Sequence, residues 1–197
     1  MSELPKYRDK RAEFFKNYYA SALSYEPYVA TGNPEHQLRW KQMREKISLT
    51  SEQVQRLSTF KRHMPILVMS GTWCGDCIRQ GPMFDALQQK CPLLEFKYID
   101  SKQNPELQEE LRINGAEKVP VVVCFSEDFF EVGRFGDRHL SVYQRKLATE
   151  LGAACDAGIL GPPKNEVEKE IDEWIDFIES KQIMLRLAPA LRNRYND

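Results

Sequence analysis

Hydrophobic and aromatic positions recur at helical spacing over residues 1–62 and predict a run of helices. The first predicted helix carries an apolar group made of Phe14, Phe15, Tyr18, Tyr19 and Leu23. The stretch "YEPYVATGNP", rich in Pro and Gly, is expected to end it. Asn33 is expected to cap a second helix that has Pro34 at its first position and Trp40 on its apolar stripe. Thr50 and Gln53 have the spacing of a capping box and predict a third helix.

The pattern changes at residue 64, where short apolar runs begin to alternate with helical segments. The predicted order is strand "PILVMSG", helix from "CGDC" to Gln89, strand 93–100, helix 105–113, strands 119–125 and 129–135, and a helix marked by Leu140, Tyr143, Leu147 and Leu151. A β-α-β-α start implies parallel strands joined by a right-handed crossover, and the closing ββα adds an antiparallel edge. The sequence therefore predicts an α/β sandwich with one central sheet.

A linker and a further helix follow this unit. The segment "GILGPPKN" at 158–165 is rich in Gly and Pro, and Asn165 and Glu168 have the spacing of a capped helix start. An apolar stripe of that helix consists of Val167, Ile171, Trp174 and Ile178. We therefore expect three parts: a helical N-terminal extension at 1–62, an α/β domain at 63–157, and a linker with a C-terminal helix that packs on the domain at 158–197.

Composition and charge narrow the class of protein. Hydrophobic residues make up 42% of the chain and charged residues 29%, which is consistent with a packed core. A net charge of −1 gives no electrostatic reason to expect nucleic acid or an anionic membrane as a partner. No apolar run is long enough to span a bilayer, and the charged N-terminus does not resemble a secretory signal. The expected compartment is the cytosol.

The chain has five cysteines, an odd number that does not suit a framework of disulfides. Two of them, Cys74 and Cys77, form a CxxC pair. The remaining three are Cys91, Cys124 and Cys155. We expect these three to be packing residues, although the loop position of Cys91 would also allow exposure.

The Cys74–Cys77 pair could bind zinc, form a structural disulfide or act as a redox dithiol. A structural zinc site needs four ligands, and the other cysteines and the three histidines are scattered, so such a site would have to be shared between two chains. A structural disulfide is poorly matched to a reducing cytosol. A redox dithiol fits best, because a cysteine at a strand-to-helix junction has its thiolate stabilised by free N–H groups and the helix dipole. This spacing permits attack by Cys74 and resolution by a more buried Cys77.

Three segments carry a family resemblance. "TWCGDC" with Pro82 resembles the active-site segment of the thioredoxin superfamily, "VPVVVCF" its cis-proline loop, and "VGRFGDR" the turn before its last helix. The resemblance covers residues 64–155, and the helical N-terminal extension is similar to that of a set of bacterial thioredoxin-like proteins. It implies a thioredoxin-like three-layer sandwich with a mixed central sheet, plus the N-terminal helices and the C-terminal helix.

The resemblance also implies roles for the dithiol. Cys74 would be the nucleophile, Cys77 the resolving thiol and Trp73 the aromatic shield beside them. The activity implied is that of a disulfide reductase acting on protein or small-molecule disulfides, with electrons from a reductase or a low-molecular-weight thiol. No metal or organic cofactor is implied. The rival hypothesis is a non-catalytic interaction module on the same scaffold.

The same resemblance implies roles for two loops next to the dithiol. Val119 and Pro120 would form the cis-proline loop, with the Val119 backbone pairing to a bound substrate chain. Gly136 and Asp137 would lie near the substrate groove.

Two positions depart from the thioredoxin pattern. Val68 stands where thioredoxin has a buried aspartate that accepts a proton from the resolving thiol. Asp76 stands where thioredoxin has a proline. The Asp76 carboxylate would oppose the thiolate if it lies near the sulfur, would contribute little if solvated, or would serve as the missing base for Cys77. We expect a reducing couple on account of Asp76 and the cytosolic setting.

Overall fold

One mixed sheet lies at the centre of the computed structural model, which describes residues 7–150 and 166–195. Its strands are β1 (Met64–Ser70), β2 (Leu94–Asp100), β3 (Val121–Phe125) and β4 (Glu131–Gly136). The strand order is β2-β1-β3-β4, with β1 parallel to β2 and antiparallel to β3, and with β3 antiparallel to β4.

Helices precede, connect and follow these strands. They are α1 (Ala12–Ser21), α2 (Tyr25–Ala30), α3 (Pro34–Arg44), α4 (Ser51–Ser58), α5 (Gly75–Lys90), α6 (Pro105–Glu110), α7 (Leu140–Glu150), α8 (Glu166–Leu187) and α9 (Pro189–Tyr195). None of the helices in the described ranges combines the length and the apolar character that crossing a bilayer requires.

Two predicted helix starts are confirmed. The Asn33 side chain accepts a hydrogen bond of 2.8 Å from the His36 N–H at the start of α3. At α4, the Thr50 N–H donates to the Gln53 side chain at 2.9 Å, and the Gln53 N–H donates to the Thr50 hydroxyl at 3.2 Å. Both caps satisfy N–H groups that the first helical turn leaves without partners.

Two predicted helix boundaries are wrong. The stretch "YEPYVATGNP", expected to be a break, contains the short helix α2, whose Pro27 lies in the first turn, where a proline costs no helical hydrogen bond. The single predicted C-terminal helix is two, α8 and α9. Pro189 opens α9 because it cannot donate the N–H that would continue α8.

The core occupies both faces of the sheet. Alternate residues of β1 point to opposite sides, with Ile66 and Val68 in one apolar cluster and Leu67 and Met69 in the other. The first cluster includes residues of α3, α5 and α8, and the second includes residues of α1 and α6. The predicted α/β sandwich, three layers around a mixed sheet with added N- and C-terminal helices, is confirmed.

The N-terminal segment also reaches the edge of the sheet. Leu23 and Tyr98 of β2 exchange two backbone hydrogen bonds, of 2.9 and 2.7 Å. The division into parts at 62/63 and 157/158 stays a prediction. Cys155, Leu151 and the predicted linker at 158–165 lie outside the described residues.

Candidate active site

The CxxC pair lies where β1 leads into α5. Cys74 is the N-cap residue of α5, and its carbonyl accepts the first helical hydrogen bond from the Ile78 N–H at 2.9 Å. Cys77 lies in the first turn of the helix and is 1% exposed, whereas Cys74 is partly exposed. Both thiols are free. The more accessible sulfur is therefore the one at the N-terminus of the helix, where an anion is favoured.

The two thiols have pKa values shifted in opposite directions. A hydrogen bond with the Cys77 side chain, together with hydrogen bonds from the backbone N–H groups of Cys77 and Asp76, outweighs burial and lowers the pKa of Cys74 to about 7. Burial raises the pKa of Cys77 well above its usual value, and the neighbouring Cys74 adds to the shift. At neutral pH the pair therefore consists of a partly ionised thiol and a buried, protonated one.

The loop before β3 faces Cys74. The Val119–Pro120 peptide bond is cis, and the Cys74 thiol donates a hydrogen bond of 3.6 Å to the Val119 carbonyl. Gly136 at the end of β4 lies against this loop, because a Cβ there would come within 3.1 Å of the Pro120 carbonyl oxygen. The Gly136–Asp137 peptide bond is also cis.

Asp76 is held by an arginine from the turn before α7. The Arg138 guanidinium donates a hydrogen bond to the Asp76 carboxylate and a second, of 2.7 Å, to Asp137. The Asp76 charge acts to raise the pKa of Cys74, but the hydrogen bonds that lower this pKa have larger effects and prevail. The Asp76 side chain is therefore paired, and its opposition to the thiolate is outweighed.

Asp137 is a buried carboxylate that holds Arg138. It is 3% exposed, and its carboxylate accepts hydrogen bonds from Arg138, Lys118 and Tyr143. Burial acts to raise the pKa of Asp137, but the Tyr143 hydrogen bond and the two cations lower it on balance. Asp137 thus lies next to the cis-proline loop as a buried anchor for Arg138.

Trp73 is the exposed aromatic residue beside the dithiol. It is 42% exposed, and the Lys102 ammonium lies 4.4 Å from the centre of its ring. The indole also lies over Gly71, where a Cβ would come within 2.7 Å of it. The absence of a side chain at Gly71 lets the ring fold back over the loop.

Sequence reasoning missed the part that the N-terminal helices play at this site. Trp40 of α3 is fully buried, and its indole N–H donates a hydrogen bond of 2.9 Å to the Thr72 carbonyl, two residues before Cys74. A Cβ on Gly81 of α5 would lie 2.2 Å from the same ring. The apolar stripe predicted that Trp40 is buried, but no spacing could identify its partner. Arg138 was likewise inside a recognised segment without being singled out.

Three further residues that the sequence analysis singled out are buried in the protein interior. Val68 is buried in the core. Cys124 is fully buried as predicted, and burial raises its pKa to about 12. Cys91 is also packed, at 5% exposed. Within residues 7–150 and 166–195, no group of three histidine, cysteine or acidic side chains is arranged to hold a metal ion.

Comparisons with known proteins show the family and the fold of this chain. A family model described as thioredoxin matches residues 22–149. Among solved structures, a protein of unknown function from Pseudomonas aeruginosa is 22% identical with a TM-score of 0.67, and the alignment covers 84% of this chain and 97% of that one. An HIV epitope-scaffold gives the same identity and TM-score, covering 84% of this chain and 98% of the scaffold. These two structural similarities show the fold of this chain.

More distant structures include a thioredoxin from Nicotiana alata, 19% identical with a TM-score of 0.34 over 51% of this chain and 86% of that one. No curated protein matches the sequence.

Proposed function

Because this chain belongs to the thioredoxin family, we propose that it is a thiol–disulfide oxidoreductase that reduces disulfides through Cys74 and Cys77. One observation carries the proposal. A thiol with a pKa of about 7 lies at a helix N-terminus, 3.6 Å from the Val119 carbonyl, next to a buried thiol whose pKa is raised. This is the asymmetry that a dithiol needs for ordered attack and resolution.

The proposed reaction has two steps. The Cys74 thiolate attacks a substrate disulfide, so that one substrate sulfur leaves as a thiolate and takes up a proton while the other is joined to Cys74. Cys77 then loses its proton and attacks the Cys74 sulfur, which releases the second substrate thiol and leaves the Cys74–Cys77 disulfide. The substrate gains the two electrons that the pair loses. One of its two protons balances the proton that Cys77 loses, and the other comes from solvent, which took up the Cys74 proton when that thiol ionised.

The surrounding residues have supporting roles in this proposal. The Val119 backbone next to the cis peptide bond would pair with an extended substrate chain, and the exposed Trp73 ring would cover one side of the bound sulfur. The substrate is a protein or small-molecule disulfide. A reductase or a low-molecular-weight thiol in a bacterial cytosol would return the dithiol to its reduced state.

Trapping of the mixed disulfide tests the proposal. The Cys77→Ser variant should accumulate a covalent complex with a disulfide substrate such as insulin, whereas Cys74→Ser should not. Wild-type protein should reduce insulin in the presence of dithiothreitol, and Cys74→Ser should abolish this activity. Equal trapping by both variants would refute the assigned roles, and wild-type reduction at the background rate would favour the non-catalytic interaction module.

A further inference from the structure

An exposed lysine next to the dithiol has no place in the reaction described so far. The ammonium group of Lys102 lies 4.4 Å from the centre of the ring of Trp73, the residue directly before Cys74. Within residues 7–150 and 166–195, no carboxylate forms an ion pair with Lys102. Its positive charge is therefore available to a molecule that binds beside the nucleophilic thiol.

The sheet explains why Lys102 lies beside the dithiol. The parallel strands β1 and β2 end together, because Ser70 at the end of β1 pairs with Asp100 at the end of β2. The Ser101 N–H donates a hydrogen bond of 2.9 Å to the Ser70 carbonyl, which holds the two chain segments together just beyond the strands. One of these segments leads to Cys74 and the other to Lys102. Both residues therefore lie at the same edge of the sheet.

Hydrogen bonds fix the turn that carries Lys102. The Asp100 carboxylate accepts bonds of 2.9 and 3.1 Å from the backbone N–H groups of Lys102 and Gln103. The Asn104 side chain donates a bond of 2.8 Å to the Asp100 carbonyl. The backbone of Lys102 thus has a defined position, and the carboxylate of Asp100 binds that backbone without forming an ion pair with the Lys102 ammonium.

The charged groups on the β3–β4 side of the dithiol bind one another. Lys118 lies 3.4 Å from the Asp137 carboxylate, and Arg138 binds both Asp76 and Asp137. The two cations on this side are therefore already paired with carboxylates of the protein. Lys102, on the β2 side, differs from them because its only printed neighbour is an aromatic ring that leaves its charge in place.

We propose that Lys102 and Trp73 form a recognition site for a carboxylate near the disulfide of the substrate. The preferred substrates are then disulfides that carry carboxylate groups close to their sulfur atoms. This inference rests on the proposed function, since it specifies the substrate of the Cys74–Cys77 pair, and the chemical steps are those given above. A carboxylate paired with the Lys102 ammonium would hold the adjoining disulfide beside Trp73 and Cys74, and the positive charge would favour the approach of anionic substrates.

Alkylation of Cys74 by iodoacetate and by iodoacetamide tests the site without any disulfide. The two reagents share a leaving group, and only iodoacetate carries a carboxylate. The ratio of their rate constants, measured on the Cys74 peptide by mass spectrometry, should fall by about threefold in Lys102→Gln and be retained in Lys102→Arg. It should also fall in the wild-type protein as salt is added, because salt screens exposed charges. An effect of Lys102 on the ionisation of Cys74 would change both rates equally and leave the ratio unaltered.

Reduction of small disulfides extends the test to the proposed reaction. 3,3′-Dithiodipropionate is a dianion, and bis(2-hydroxyethyl) disulfide is neutral. The kcat/KM for the dianion relative to that for the neutral disulfide should also fall by about threefold in Lys102→Gln. Peptide disulfides with Glu or Gln beside the cysteine distinguish the source of the carboxylate. A stronger dependence on Lys102 for the Glu peptide assigns it to a polypeptide substrate, and a stronger dependence for the small dianion assigns it to a small molecule.

Lys97→Gln is the matched control. Lys97 lies within β2, and its ammonium is 4.6 Å from the centre of the Tyr19 ring on α1, so the variant removes the same charge and the same kind of contact. It should keep the wild-type ratios. Wild-type ratios in Lys102→Gln, or an equal fall in both glutamine variants, would overturn the carboxylate site and leave the proposed function intact. Failure of the wild-type protein to reduce any of the disulfides would overturn both.

Discussion

The guanidinium of Arg138 binds the carboxylate of Asp76 and so joins the turn before α7 to the first turn of α5. Arg138 is itself held by the buried Asp137, so the cation has a fixed position next to the dithiol. A carboxylate two residues after Cys74 opposes the thiolate, and a cation paired with that carboxylate offsets its charge. The residue between the cysteines is therefore part of an ion pair that belongs to the site.

Removal of Arg138 should make Cys74 a weaker acid. In Arg138→Gln the Asp76 charge is no longer offset, and we expect the pKa of Cys74 to rise by roughly half a unit. Asp76→Asn should lower it by a similar amount, and the double variant should return close to the wild-type value. Thiolate absorbance at 240 nm against pH measures the shift. An unchanged titration in Arg138→Gln would contradict the role given to the pair.

Alkylation should follow the ionisation of Cys74. Because the thiolate is the reactive form and the pKa of Cys74 is about 7, the rate with iodoacetamide should rise with pH and reach half its maximum near pH 7. Cys77 should stay unmodified across this range, since burial raises its pKa and limits access. Peptide mass spectrometry identifies the labelled residue. Labelling of Cys77 first would reverse the assignment of nucleophile and resolving thiol.

The redox potential of the couple should be that of a reductant. A nucleophilic cysteine with a pKa near 7 is typical of thioredoxin, whose potential is about −270 mV, whereas strongly oxidising dithiols have far more acidic cysteines. We expect a value within about 30 mV of the thioredoxin potential, measured by equilibration with glutathione or dithiothreitol. A potential near −120 mV, typical of a strong oxidant, would contradict this expectation.

Gly81 should be intolerant of a side chain. In Gly81→Ala the added methyl would lie 2.2 Å from the buried Trp40 ring, and overpacking of this kind costs about 1 to 3 kcal/mol of unfolding free energy. Gly75→Ala on the same helix is the control, since no atom lies within 4 Å of its Cβ position. Urea unfolding of the two variants makes the comparison. Equal midpoints would show that Trp40 moves away without cost.

An ion pair between Arg79 of α5 and Glu170 of α8 links the two helices. Glu170 is 0% exposed, its side chain accepts a hydrogen bond of 2.5 Å from Arg79, and burial raises its pKa. Arg79→Met leaves a buried carboxylate without this cation and should lower the free energy of unfolding by about 3 kcal/mol at pH 7.

The same variant should depend on pH in a defined direction. A carboxyl whose folded pKa is raised favours the folded state at low pH and loses that contribution as the pH rises through the folded pKa. The loss of unfolding free energy in Arg79→Met should therefore be smaller at pH 5 than at pH 7. A second change, Glu170→Met, should recover much of the stability at pH 7, because an apolar pair replaces the buried charge. A loss of unfolding free energy that is the same at both pH values would argue against the buried carboxylate as its cause.

Sequence patterns correctly predicted those helix starts and strands that are determined by residues close together in the chain. The capping residues Asn33 and Thr50, the apolar run of β1 and the position of Cys74 before α5 could all be recognised because helix caps and strand alternation act over a few residues. The helix α2 was missed because its proline lies at the one part of a helix that tolerates it.

The sequence by itself determined the sandwich, its central strands and the position of a CxxC pair at the start of a helix. The tertiary structure decided what surrounds that pair: Arg138 on Asp76, and Trp40 on the Thr72 carbonyl. These two contacts join residues that are 32 and 62 positions apart in the chain. No periodicity encodes such distances, because the partners meet only when the helices and the sheet have packed.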